Sequence, residues 1–248
     1  MTQGRMRDDL YPELYRVEDQ HWWHRQKRQV IHQLIRQYAP TPGKVLDVGC
    51  GSGKLLFELE SLGWQVEGVD APQGKQQSQR RGLKISSVNL QNQPLPYPNH
   101  HFDLVVCLDT LEHIKDDQRL FTEMARITKA KGTIIISVPA YQWLFSYWDK
   151  MLGHFRRYNR SSLLRAVPKN RLRRRLVTYY FTFLLLPAML IRLVKVIFRQ
   201  KQQSDFTTDP LPVFTRSIVS LLGSFELVWL KRFKLPFGLS LIGVWQKK

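Results

Sequence analysis
Residues 45–53 read VLDVGCGSG, and a second apolar run, WQVEGVD, closes on Asp70, 23 residues after Asp47. The first run, Val45, Leu46 and Val48, predicts a short buried strand that passes directly into Gly49, Gly51 and Gly53. Glycines at alternate positions permit a sharp turn and the close approach of a ligand to the backbone. An acid at the tip of the next strand of an α/β unit is placed to hold ribose hydroxyls. The pair points to a nucleoside-containing ligand over the carboxyl ends of two parallel strands. Two familiar glycine loops do not fit. In the dinucleotide fingerprint G-x-G-x-x-G the third glycine would fall on Lys54, and the phosphate-binding P-loop needs four residues between its glycines, where this chain has three.

The rest of the chain alternates in the manner of a parallel sheet. Strands are expected at about 44–48, 65–69, 84–88, 103–108 and 133–138, with helices at about 53–62 and 116–128 and a short one within PQGKQQSQRRG. Residues 10–38 carry helical periodicity that Pro40 and Pro42 end. RLRRRLVTYYF (171–181) predicts a sixth strand and LSLIGVWQKK (239–248) a seventh. Cys50 and Cys107 each fall in or beside a predicted buried strand and read as core thiols, which suits a reducing, cytoplasmic compartment. MTQGRMRDDLYPELYR has no apolar core of a signal peptide, so none is expected.

VLDVGCGSG resembles the first motif of class I S-adenosylmethionine (SAM)-dependent methyltransferases, in the bacterial type 11/type 12-like group whose substrates are unassigned. QPLPYPNHHFDLVVCLDTLEHI (93–114), LFTEMARITKAKGTIIISVP (120–139), HWWHRQKR and GHFRRY extend the resemblance. It implies a Rossmann-like, doubly wound seven-stranded sheet, mostly parallel with the last strand antiparallel, and SAM as cofactor. Domain bounds follow: an N-terminal helical lid at 1–44, a SAM-binding core at 45–181, an apolar and basic helical insertion at 182–238, and the final core strand at 239–248. The resemblance assigns Gly49, Gly51, Gly53 and Asp70 to the cofactor, with Asp47 orienting the loop or the methionine amine. Asn89 and Leu90 stand where the family often has an acid for the adenine, and Asp109 is assigned to the cofactor as well. His113 and His154 are the candidate bases. Arg156, Arg157 and Tyr158 are the candidate clamp for an anionic group of the substrate. Methyl transfer needs no metal, and none is expected.

Charge divides the chain unevenly. Residues 45–140 carry a net −1, whereas residues 141–248 hold twenty Lys and Arg against four Asp and Glu, a net +16. Such one-sided charge suits an anionic partner. From Leu176 to Ile191 sixteen residues carry no charge, short of the ~20 that span a bilayer. AMLIRLVKVIFRQK and VFTRSIVSLLGSFELVWLKRFK (213–234) are basic amphipathic patterns of the kind that lie in a membrane interface. The expected acceptor is a small or lipid-linked molecule at the cytoplasmic membrane face. An RNA methyltransferase and a SAM-binding regulatory or scaffold protein without turnover are the alternatives. The apolar runs make nucleic acid the weaker of the anionic partners, and the sequence leaves the oligomeric state open.

Overall fold
The computed structural model describes residues 18–19, 21–79, 81–190 and 213–248. Its centre is a seven-stranded sheet in the order β3-β2-β1-β4-β5-β7-β6. The strands are β1 (Lys44–Val48), β2 (Gln65–Asp70), β3 (Ile85–Ser87), β4 (Phe102–Leu108), β5 (Thr128–Pro139), β6 (Leu172–Tyr180) and β7 (Ser240–Lys247). The first five run parallel, and β7 inserts antiparallel between β5 and β6. The helices are α1 (Trp22–Tyr38), α2 (Lys54–Glu60), α3 (Pro72–Gln79), α4 (Asp117–Ile127), α5 (Tyr147–Met151), α6 (Arg160–Ala166) and α7 (Val213–Leu230).

The sheet is buried on both faces, so its central strands read as unbroken apolar runs rather than alternating ones. In β4, Val105 and Cys107 face one core with Phe121, Met124 and Leu163, while Leu104 and Val106 face the other with Ile31, Leu34 and Leu56. Each fully buried side chain of this size stabilises the fold by roughly 1.5–3 kcal/mol relative to exposure. Cys50 and Cys107 are buried free thiols. Strand five, expected at 133–138, begins earlier: a turn at Lys131–Gly132, with Lys131 at φ +64°, lies inside a longer β5. Pairing resumes because Thr128 aligns with Phe102 before the register shifts, and Thr133 then aligns with Leu104.

The N-terminal helix is fastened from two sides. Val30, Ile31, Leu34 and Ile35 bury against the sheet. On its flank the Gln26 side-chain amide donates to the Val219 carbonyl at 3.1 Å and that of Gln33 to the Leu227 carbonyl at 3.0 Å, both in α7. Gly223 lets the helices approach, since a Cβ there would lie 1.4 Å from the Gln26 amide nitrogen. Trp23 stacks on Phe181 at 4.0 Å and Trp22 meets the same ring edge-on. Residues 185–190 are helical; the first basic amphipathic pattern lies from Ile191 onward outside the described residues, as does the expected periodicity of residues 10–17. No described helix is long and apolar enough to cross a membrane.

In β7, Gly243 makes room for the Trp245 indole, whose ring atoms would come within 2.0 Å of a Cβ at that position. The indole packs edge-on against Phe121 at 5.1 Å. Gly243→Val is expected to overpack this core at a cost of about 1–3 kcal/mol. Thermal unfolding followed by circular dichroism should then show a midpoint lower by several degrees.

Candidate active site
The loop between β1 and α2 takes its shape from three left-handed glycines, Gly49 at φ +80°, Gly51 at +54° and Gly53 at +73°. The backbone N–H groups of Gly49 and Cys50 donate to the Val69 carbonyl at 2.8 and 3.3 Å. Asp70 completes the tie: its carboxylate accepts from the N–H of Gly51 at 2.5 Å and of Ala71 at 2.6 Å. Ser78 of α3 donates to the Gly51 carbonyl at 2.6 Å. A Cβ on Gly49 would lie 2.1 Å from the Thr110 hydroxyl, so the loop and the end of β4 are packed to glycine's dimensions. Asp70 therefore anchors the loop itself, with lone pairs left over for ligand hydroxyls.

Asp47 lies beneath this loop, buried, with Oδ1 lacking a partner among the described residues. Burial, then the charges of Asp70 and Glu18, push its pKa up to about 8. An unpartnered carboxyl oxygen and a second carboxylate beside an open glycine turn suit a nucleoside ligand that carries positive charge. SAM, with its sulfonium and ammonium groups, fits that description. Gly49, Gly51, Gly53, Asp47 and Asp70 are the residues that would hold it.

Asn89 and Leu90 are placed differently. The Asn89 amide oxygen accepts from the Gln91 N–H at 3.0 Å, closing a turn at the surface, and the Leu90 carbonyl is held by Arg119. Asp109 stands at the end of β4 in a left-handed conformation, φ +47°. Its Oδ1 accepts from the Ser137 hydroxyl at 3.0 Å, and that hydroxyl lies 2.9 Å from the Tyr180 hydroxyl. Its other oxygen is ion-paired with Lys27 of α1. Lys27 is buried, and desolvation pushes its pKa down to about 8 against the opposing pull of Glu112 and Glu18. Lys27 was not a sequence candidate, although it occupies a position where the apolar stripe of α1 calls for a hydrophobe.

Beyond Asp109 the chain makes a 3₁₀ turn, Leu111–His113, that aims Glu112 inward. Glu112 is 1% exposed, its Oε2 has no partner among the described residues, and burial pushes its pKa up to about 8. His113 and His154, distant in sequence, come together edge-on with ring centroids 4.6 Å apart. His113 is half-buried, and loss of solvent around it, with the neighbouring His154 adding, lowers its pKa. His154 Nδ1 lies 2.9 Å from Asp149, which also accepts from Arg157 Nε at 2.7 Å and from the Ser146 N–H at 2.7 Å. Burial raises the Asp149 pKa, but the His154 hydrogen bond and the Arg157 charge outweigh it and hold the carboxyl well below its usual range. Asp149 escaped the sequence reading, though Ser146-x-x-Asp149 is a capping-box pattern that marks the start of α5.

Arg156, Arg157 and Tyr158, the expected substrate clamp, each have partners within the chain. Arg156 pairs with Asp117 at 2.8 Å, Arg157 with the buried Asp149, and the Tyr158 hydroxyl donates to Asp117 at 2.8 Å. Arg156 and Tyr158 thereby fasten the segment after β5 to the start of α4, and Arg157 is tied to α5 within that segment.

A seven-stranded sheet with β7 reversed, and a glycine turn facing an acid at the tip of β2, are the fold and loop arrangement of class I SAM-dependent methyltransferases. The methyltransferase-domain family matches residues 20–173, and the chain belongs to it. It is 31% identical over 132 residues to a ubiquinone biosynthesis O-methyltransferase of Albidiferax ferrireducens, covering 47% of this chain and 52% of the relative. It is 32% identical over 103 residues to ajmaline N-methyltransferase of Rauvolfia serpentina, covering 38% and 35%. The chain spans about half the length of the first curated relatives it matches. Among solved structures, a SAM-dependent methyltransferase from Thermotoga maritima superposes with a TM-score of 0.61 at 17% identity over 97% of this chain and 96% of the other. Geranyl diphosphate C-methyltransferase from Streptomyces coelicolor gives 0.56 at 16% identity over 89% and 78%.

Two outcomes test the cofactor site. Asp70→Ala removes the loop's anchor, and charge-assisted hydrogen bonds of this kind contribute ~1.5–3 kcal/mol each; the dissociation constant for S-adenosylhomocysteine should rise at least ~10-fold by calorimetry. The second outcome concerns pH. A cationic ligand stabilises the ionised Asp47, lowering its pKa from about 8, so binding releases a proton. SAM affinity should therefore rise as pH increases toward about 8 and level off above it. Asp47→Asn should flatten that slope.

Proposed function
We propose that this protein transfers the methyl group of SAM to a small or lipid-linked acceptor presented at an anionic membrane surface. SAM supplies the activated methyl carbon and the leaving group. The acceptor's lone pair forms the new bond to that carbon, the electrons of the broken C–S bond stay on sulfur, and the acceptor gives up its proton. His113 and His154, at the carboxyl end of β4 where open α/β sheets bind ligands, are the groups we assign to activating the acceptor. Asp149 holds His154 in one orientation, as an aspartate does for a catalytic imidazole. Asp109 and Lys27 close the opposite side and tie α1 over the site as its lid.

The membrane reading is carried by α7 and the turn after it. Leu221, Leu222, Phe225, Val228, Trp229, Phe233 and Phe237 are all exposed, and Lys231, Arg232 and Lys234 stand beside them. An apolar stripe of this size rimmed by cations is costly in water and suits the boundary between headgroups and acyl chains. The same helix grips α1 from its other side, so the surface that would meet lipid is joined to the helix that covers the site.

Flotation with vesicles containing anionic lipid, at ~0.15 M salt, should carry the protein upward, and Phe225→Asp with Trp229→Asp should leave it at the bottom. Absence of binding to such vesicles would remove the membrane from the proposal. Incubation with labelled SAM and fractionated cell extract should place label in the lipid or small-molecule fraction. Label in RNA would favour the alternative acceptor, and SAM binding without label transfer to any fraction would favour a regulatory protein.

A further inference from the structure
We propose that Glu112, His113 and His154 form a binding site for one divalent transition-metal ion of the zinc class on the acceptor side of the methyl-transfer centre. Their donor atoms all lie within 4.8 Å of one another, and His154 Nε2 is 4.0 Å from Glu112 Oε1. Donors bound at ~2.1 Å to one tetrahedral ion stand ~3.4 Å apart, so a closure of up to about 1.4 Å at the widest pair completes the site. Two imidazoles and one carboxylate suit Zn²⁺, Co²⁺ or Mn²⁺ better than the all-oxygen preference of Ca²⁺ or Mg²⁺.

The surroundings are arranged as for a ligand set. His154 turns Nδ1 toward Asp149, leaving its Nε2 toward Glu112. A neutral imidazole that donates Nδ1–H to a carboxylate presents an Nε2 lone pair, and such outer carboxylates orient metal-binding histidines. Asp149 is itself fixed by Ser146 and Arg157, so the ring cannot swing away cheaply. Charge makes the same case. Asp109 has Lys27 and Asp149 has Arg157 as direct ion-pair partners, whereas Glu112 is 1% exposed and its Oε2 is unpartnered among the described residues. When Glu112 ionises it therefore lacks a direct counter-charge among the described residues, and a bound cation would supply one. His113 is only partly buried, which gives the site an open side.

A Lewis acid at this place would lower the pKa of an acceptor hydroxyl. His113 and His154 would then activate the acceptor through the ion rather than by taking its proton themselves. Placing the ion on the acceptor side rests on the methyl-transfer reading, whereas ion binding itself does not.

The test uses the full chain, free of any tag and stripped of metal, titrated with Co²⁺ and followed by visible absorption and calorimetry. S-adenosylhomocysteine binding is measured in parallel as evidence of a folded cofactor site. One equivalent of Co²⁺ should bind and be displaced by Zn²⁺. Glu112→Gln and His154→Ala should each reduce affinity at least ~100-fold, and Asp149→Asn, which acts only through His154, by ~10–100-fold. His32→Asn, at the separate His32–Glu58 contact of 2.8 Å, should leave binding unchanged. No Co²⁺ binding by protein that binds S-adenosylhomocysteine would overturn the site. So would wild-type Co²⁺ affinity in the Glu112 or His154 variants. Should those buried variants lose their fold, His113→Ala decides in their place, because its partly exposed side chain can be removed with less disturbance. Loss of S-adenosylhomocysteine binding in the wild-type chain would instead count against the methyl-transfer reading.

Discussion
The hydrogen bonds that pin the glycine turn to the tip of β2 set the terms for everything around them. Gly49 and Cys50 donate to Val69, and Gly51 donates to Asp70. With those bonds made, the ends of β1 and β2 are locked in one geometry, and Thr110 can pack against Gly49. The loop, the acid and the start of the acceptor side thus form one rigid unit. Asp47 remains buried under it with Oδ1 unpartnered among the described residues, a carboxyl whose ionised form a cationic ligand stabilises.

A second theme is the handling of buried charge at the carboxyl end of β4. Asp109, Glu112 and Asp149 converge there with Lys27 and Arg157. Burying an ion without a partner costs several kcal/mol, so each such residue must find a counter-charge, take up a proton or bind a ligand. Asp109 and Asp149 find cations within the chain. Among the described residues Glu112 makes no such cation contact, and burial raises its pKa. Arg156 and Arg157, the arginines expected to meet substrate, serve as counter-charges to Asp117 and Asp149.

The architecture was largely legible in the sequence. Strand positions in β1, β2, β4 and β7 followed from short apolar runs bounded by Gly, Pro and acidic residues, because a sheet covered on both faces has no polar side. Asn159 caps α6 by accepting from the Ser162 N–H at 2.8 Å. The length of β5 did not emerge, because Lys-Gly reads as a stop and only the pairing of Thr128 with Phe102 carries the strand past it. Lys27 and Glu112 were missed for a related reason: in an apolar stripe a single charge reads as a surface position until packing buries it.

What the sequence determined by itself is the donor side. Turn geometry depends on residues close together in the chain, so alternate glycines and an acid at the next strand tip specify a nucleoside cradle before any packing is known. What only the tertiary structure decided is the acceptor side. Lys27, Asp109, Glu112, Asp149 and His154 come from α1, the end of β4, the turn after it, α5 and the loop beyond. No spacing along the chain relates them. They meet because the helices that bury their apolar faces on the sheet carry these polar groups to one place, where burial changes their protonation and their partners.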